Sequence, residues 1–116
     1  MNTAEKPFRV GHSPDPDDAF MFHAMTTGTI DTEGREYEHV LLDIETLNKH
    51  AMDGTYEISA VSIHSFPEIA DKYHLMNCGA SMGEGYGPMV ISNREMSEEE
   101  AKTKVIAIAG SGTSAY

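Results

Sequence analysis

The run Val105-Ile106-Ala107-Ile108-Ala109 constrains this 116-residue chain more than any other segment. Consecutive apolar residues, mostly β-branched and bounded by Lys104 and Gly110, read as a strand buried on both faces. Such strands belong to parallel sheets whose two faces are covered by helices. The rest of the chain agrees with that class, because short strand-like and helix-like patterns alternate along it. The expectation is therefore an α/β fold with a mostly parallel sheet and flanking helices.

Phe8 to Gly11 reads as a first strand that runs into the turn Ser13-Pro14-Asp15-Pro16. A helix follows from Asp17, with carboxylates at its positive end and Gly28 as its stop. Tyr37 to Leu42 is a second strand. Ile44, Leu47 and Ala51 then form an i, i+3, i+7 stripe, with Asp43 as N-cap and Gly54 as stop. A third strand is expected over Tyr56 to Val61, a short helix over Ser62 to Asp71, and weaker strands over Tyr73 to Met76 and Met89 to Ile91. Ser97 with Glu100 has the spacing of a capping box. Beyond Ala109, the turn at Gly110 to Tyr116 points into a new helix, so the chain reads as the first part of a longer protein.

Charge narrows the partners. Eight Lys and Arg residues stand against 19 Asp and Glu residues, a formal net charge of −11. That excess repels phosphate backbones and anionic headgroups, so neither nucleic acid nor a membrane surface is an expected partner. No apolar run reaches the roughly 18–20 residues that span a bilayer. Cys78 is the single cysteine, which rules out an intrachain disulfide, and a buried or inert thiol is the expectation. A cytoplasmic location is the simplest expectation.

Two turns carry candidate chemistry. Asp15-Pro16-Asp17-Asp18 lacks the glycine and the twelfth-position Glu of a calcium loop, since Phe20 and Thr26 stand there. It reads as a turn with a helix cap, as a magnesium-dependent phosphohydrolase site using Asp15 and Asp17, or as a site with Ser13 and Asp18 at a strand's C-terminal edge, where open α/β sheets bind ligands. Gly110 to Ser114 follows a strand and offers N–H groups together with the Thr113 and Ser114 hydroxyls. It reads as an anion site or as a plain helix N-cap. Without a Lys it is no nucleotide loop. Gly83 to Gly87 reads as a flexible loop. The six histidines have no paired metal spacing, and only His12 and His64 lie at strand-to-helix junctions. Met21 and Met25, at helical spacing, are expected in the core.

The stretch from Gly11 to Phe22, GHSPDPDDAFMF, resembles the opening motif of a menaquinone-biosynthesis family, the dihydroxynaphthoate synthases and related chorismate-processing enzymes of the futalosine pathway. Leu42 to Asn48, Gly83 to Pro88 and Gly112 to Tyr116 match further motifs in the same order. The resemblance implies a lobe like that of type II periplasmic binding proteins, with residues 1–116 as the N-terminal part of the first lobe and the second lobe absent. It implies a lyase that converts cyclic dehypoxanthinyl futalosine into 1,4-dihydroxy-6-naphthoate without a cofactor or metal. The substrate is an anionic aryl carboxylate. Its contacts carry over to Ser59, Ala60 and Val61 and to Thr113 and Ser114, with Ser13 and Asp18 on the cleft floor.

The family's general base falls downstream of Tyr116, so the chain is expected to be an inactive substrate-binding portion. Asp15, Asp17 and Ala19 stand where the synthases commonly have Cys, Asn and Thr, and Ala60 stands where they often have Lys. The other reading is a non-catalytic module that binds a small carboxylate. Sheet surface left uncovered by a missing lobe would favour self-association.

Overall fold

The structure, a computed structural model, describes residues 6–116. Strand β1 (Phe8–His12) leads to helix α1 (Pro16–Thr26), strand β2 (Tyr37–Leu41), helix α2 (Ile44–Met52), strand β3 (Ile58–Ser59) and the single-turn helices α3 (Phe66–Ile69) and α4 (Glu98–Ala101). The strands form one parallel sheet in the order β2-β1-β3. Val10 lies opposite His39 on one side and Ile58 on the other.

The helix signals in the sequence correspond to real caps. Asp43 accepts a 2.9 Å hydrogen bond from the Thr46 N–H, which satisfies a donor that the first turn of α2 leaves free. Pro16 opens α1, where its missing N–H costs nothing, and the chain leaves the helix through Thr27 and Gly28. Ser97 caps α4 by accepting from the Glu100 N–H at 3.2 Å. The reciprocal half of that capping box is replaced, because the Glu100 carboxylate pairs with Arg94 and Lys104.

Alternation along β1 places a helix on each face of the sheet. The His12 ring stacks on Phe22 of α1 with centroids 4.3 Å apart. Gly11, on the opposite face, lies under α2. A Cβ there would come within 2.8 Å of Leu47 Cδ2 and 3.0 Å of the Tyr56 ring. Only glycine allows α2 to sit this close to the strand. The core is small and centred on that contact: Val10, Leu47, Ala51 and Ile69 are buried. Met21 and Met25 are only half-buried, because α1 buries no residue completely. Cys78 is exposed.

Several expected elements are shorter or missing. β3 is confined to Ile58–Ser59, and Pro67 and the turn before it limit the following helix to Phe66–Ile69. Tyr73 to Met76, Met89 to Ile91 and Val105 to Ala109 form no strand, and Gly110 to Tyr116 is a set of turns with no helix. Val105 is fully exposed, and Val90 and Ile91 are largely so. The physical reason is the lack of a partner. A strand is held by its neighbour's backbone, and among the described residues the outer edge of β3 pairs with none. The radius of gyration reflects this extended arm, at 17.9 Å against about 13 Å for a compact domain of this size. Among the described residues, no helix is long and apolar enough to cross a membrane.

Candidate functional site

β1 and β3 are neighbours whose outgoing loops diverge. The loop after β1 enters α1 on one face of the sheet, while the loop after β3 enters α3, which packs against α2 on the other face. A crevice opens where adjacent parallel strands send their chains in opposite directions, and ligands of open α/β sheets bind in such crevices.

Ser13 and Asp18 lie together at the base, on the β1 side. The Ser13 N–H donates to Asp18 Oδ2 at 2.7 Å, and the Ser13 hydroxyl donates to Asp15 Oδ2 at 2.7 Å while accepting from the Asp15 N–H at 3.1 Å. Ser13 is buried, so these bonds replace the water it gives up. Asp17 faces elsewhere. A hydrogen bond from Ser81, followed by the Asp18 N–H, holds its carboxyl below the usual carboxylate range. The acidic turn is thus split between two settings. Among the described residues, no three His, Cys, Asp or Glu side chains converge in a way that could hold a metal ion.

The wall begins at β3. Ser59 is in register with Gly11, and the Ala60 N–H donates to the Gly11 carbonyl at 2.8 Å, which draws Ser59-Ala60-Val61 beside the end of β1. The Ser59 hydroxyl donates to the Ala60 carbonyl at 3.1 Å. Ala60 adds no charge, as its side chain dictates.

Thr113 and Ser114 reach this wall through a residue that the sequence reading did not single out as a contact. Buried Asn48 accepts from the Ser62 N–H at 2.9 Å through its Oδ1 and donates through Nδ2 to the Gly112 carbonyl at 3.0 Å. Ser65 donates to the same carbonyl at 2.6 Å, and the Gly112 N–H donates to Glu45 Oε2 at 3.1 Å. A side chain at Gly110 would overlap the Glu45 carboxylate, and its φ of +135° also disfavours other residues. The signal for Asn48 was its position: it falls on the Ile44-Leu47-Ala51 stripe, where a polar side chain needs a buried partner.

The two predicted hydroxyls have different duties. Thr113 is buried, and its hydroxyl donates to the Gly110 carbonyl at 2.9 Å, closing the turn on itself. Ser114 is exposed, and its Oγ accepts from the His64 N–H at 3.4 Å. His64 is exposed, whereas His12 is buried at the end of β1. The structure therefore joins residues 59–64 to residues 110–114 and joins Ser13 to Asp18, without a direct bond between the two groups. A hollow of about 240 Å³ adjoins this junction, lined by Glu45, Asn48, His64, Ser65, Ser111 and Gly112, and none of the predicted contact residues lines it. The loops after β1 and β3 carry hydroxyl and amide groups, and the nearest carboxylates, Asp15 and Asp18, are engaged with Ser13.

Comparison with known proteins decides the family. Residues 8–116, nearly the whole chain, match the sequence model described as menaquinone biosynthesis. The chain belongs to that menaquinone-biosynthesis family. It is 32% identical over 108 residues to a 1,4-dihydroxy-6-naphthoate synthase of Thermus thermophilus, covering 93% of this chain and 39% of the relative. A synthase of the same name from Streptomyces coelicolor is 26% identical over 108 residues, covering 93% and 37%. The chain thus spans about two fifths of the length of the curated relatives it matches. The crystal structure of protein AF1704 from Archaeoglobus fulgidus is similar at 54% identity with a TM-score of 0.68, over 71% of this chain and 31% of that one.

Proposed function

We propose that this chain forms one wall system of the substrate cleft of a 1,4-dihydroxy-6-naphthoate synthase-like lyase. The reaction is the conversion of cyclic dehypoxanthinyl futalosine into 1,4-dihydroxy-6-naphthoate in menaquinone biosynthesis, and its setting is the cytoplasm. The fold is the N-terminal part of the first lobe of a type II periplasmic-binding-protein-like architecture, with residues 1–116 as one unit. What supports this reading is the placing of Ser59-Ala60-Val61 beside the end of β1, with segment 59–64 and turn 110–114 tied together by Asn48.

Ligand recognition falls to groups that still have hydrogen-bonding capacity. The exposed Ser114 hydroxyl, which accepts from His64, retains its own proton for the aryl carboxylate of the substrate. Thr113 shapes the turn, and Ser59, Ala60 and Val61 contact the substrate along its length. Ser13 and Asp18 form the floor. The net charge of −11 opposes an anionic ligand, so these directed donors carry the recognition.

The chain alone binds substrate weakly and does not turn it over, because one wall neither buries the ligand nor excludes water from it. The test is to incubate the purified chain with the cyclic futalosine substrate and follow naphthoate formation by its absorbance. No product, with saturable binding, is the expected result. Sustained turnover would contradict the inactive-portion reading, and no binding at all would contradict the cleft reading.

A further inference from the structure

Two histidines lie beneath the crevice floor in a hydrogen-bonded chain with a defined direction. His12 Nδ1 is 3.1 Å from the Ser13 carbonyl oxygen, and His12 Nε2 is 3.0 Å from His39 Nδ1. A carbonyl only accepts, so the His12 proton sits on Nδ1. In the neutral ring Nε2 is then an acceptor, and the proton between the rings belongs to His39 Nδ1. That leaves His39 Nε2 as a bare lone pair, buried and without a partner among the described residues. A buried acceptor left unsatisfied in this way calls for an explanation.

We propose that His39, acting through His12, is a positioning residue for Ser13, and that the pair holds the crevice floor only while the His39 ring is neutral. This rests on reading the crevice as the substrate site. The surroundings leave no acceptor for an added proton. His12 stacks on Phe22, and Phe22 meets His39 edge-on with centroids 6.0 Å apart. Tyr37 and Leu41 share the face of His39, and the Tyr37 ring is turned to Phe8. Glu38 lies on the opposite face, as does Arg9. Asp18 of α1 is bonded to the Ser13 N–H.

Burial, and then repulsion from His12, lower the His39 pKa below its ordinary value. Protonation at Nε2 creates a buried N–H with nothing to receive it, so the ring must turn toward water. His12 Nε2 then loses its donor, and the His12 ring is no longer held against the Ser13 carbonyl. The same substitution logic separates positioning from packing. An Asn at position 39 places an amide donor near the Nδ1 site, whereas a Phe fills the apolar space with no donor.

The experiment is ring and backbone nitrogen NMR on the whole chain, without ligand, at pH 7.5 and pH 5. The expected result is the Nδ1–H tautomer on both His12 and His39 at pH 7.5, with the Ser13 amide resonance shifting at pH 5 in step with His39. His39→Asn keeps Ser13 at its neutral-pH position at both pH values, and His39→Phe displaces it at both. An Nε2–H tautomer on either ring, or a Ser13 resonance indifferent to His39→Phe, overturns the proposal. If His39→Phe does not fold, the tautomers and the Asn variant decide. With 1,4-dihydroxy-6-naphthoate as probe, His39→Phe weakens binding by about fivefold, the weight of one net hydrogen bond, and His39→Asn does not. A probe that fails to bind even the wild-type chain overturns the substrate reading, while the tautomers and the Ser13 amide still decide the histidine pair.

Discussion

Asn48 donates to the Gly112 carbonyl at 3.0 Å across a sequence separation of 64 residues. The same side chain accepts from the Ser62 N–H, so one buried amide fixes the loop after β3 and the turn at residues 110–114 in a single arrangement. Asn48→Leu removes both bonds while keeping the number and branching of the side chain's heavy atoms. It leaves the Ser62 N–H without its partner, at a cost of about 1–3 kcal/mol for a buried polar group. The expected outcome in hydrogen exchange is loss of protection at Ser62 and Gly112, with Val10 and Gly11 protected as before.

Gly11→Ala tests the approach of α2 to the sheet. The new methyl meets Leu47 Cδ2 at 2.8 Å and the Tyr56 ring at 3.0 Å. Overpacking of this kind costs about 1–3 kcal/mol. Urea denaturation should show that loss. Leu47→Ala opens space for the methyl, so the double variant is less destabilised than the sum of the two single changes.

Acid sensitivity should appear in two windows. Arg9 donates to Glu57 at 2.8 Å and 3.0 Å, and these bonds, together with the Arg9 N–H, hold the Glu57 carboxyl down to about 2 from its ordinary 4.5. A depressed carboxylate stabilises the fold above its unfolded value, and that contribution is lost as pH falls from 4.5 toward 2. The pair is exposed, so salt weakens the effect. Glu57→Gln should flatten the melting temperature in this window. His39, also depressed, makes the fold less stable as pH falls below its ordinary 6.5, and His39→Asn should remove that earlier slope.

The unequal duties of the two hydroxyls give a prediction about binding. Ser114→Ala removes an exposed hydroxyl from the crevice wall and should weaken 1,4-dihydroxy-6-naphthoate binding by about fivefold, without changing the melting temperature. Thr113→Val strips the hydroxyl bond to the Gly110 carbonyl, which then keeps only the Thr113 N–H, so the turn is held by one bond fewer and the melting temperature falls. Equal effects of the two substitutions on the melting temperature would contradict this division of roles.

Local chemistry made much of the fold legible in the sequence. Asp43, Gly54, the Leu47 stripe and Ser97 each mark a helix boundary or face by a mechanism contained within a few residues, and each is found in place. Val105 to Ala109 misled because its pattern reports an environment, burial on both faces, that only neighbouring strands and helices create. Here those residues are exposed and unpaired. Ser13 and Asp18 were readable as a pair because they lie five residues apart around one turn. The bond between Asn48 and Gly112 was not readable, because nothing local links a residue in α2 to a turn so far along the chain. The histidine pair escaped for a similar reason: His12 was noticed at its strand end, but the diagonal approach of His39 depends on the β1–β2 register.

The central claim is that the crevice between β1 and β3 binds the substrate. A proton–nitrogen NMR titration of the chain with cyclic dehypoxanthinyl futalosine tests it most directly. The account predicts shifts at Ser13 and Asp18, at Ser59 to Val61 and at Thr113 and Ser114. A folded spectrum that does not respond, or shifts confined to Lys49, Met52 and Glu68 on the α2–α3 side of the adjoining hollow, would contradict it.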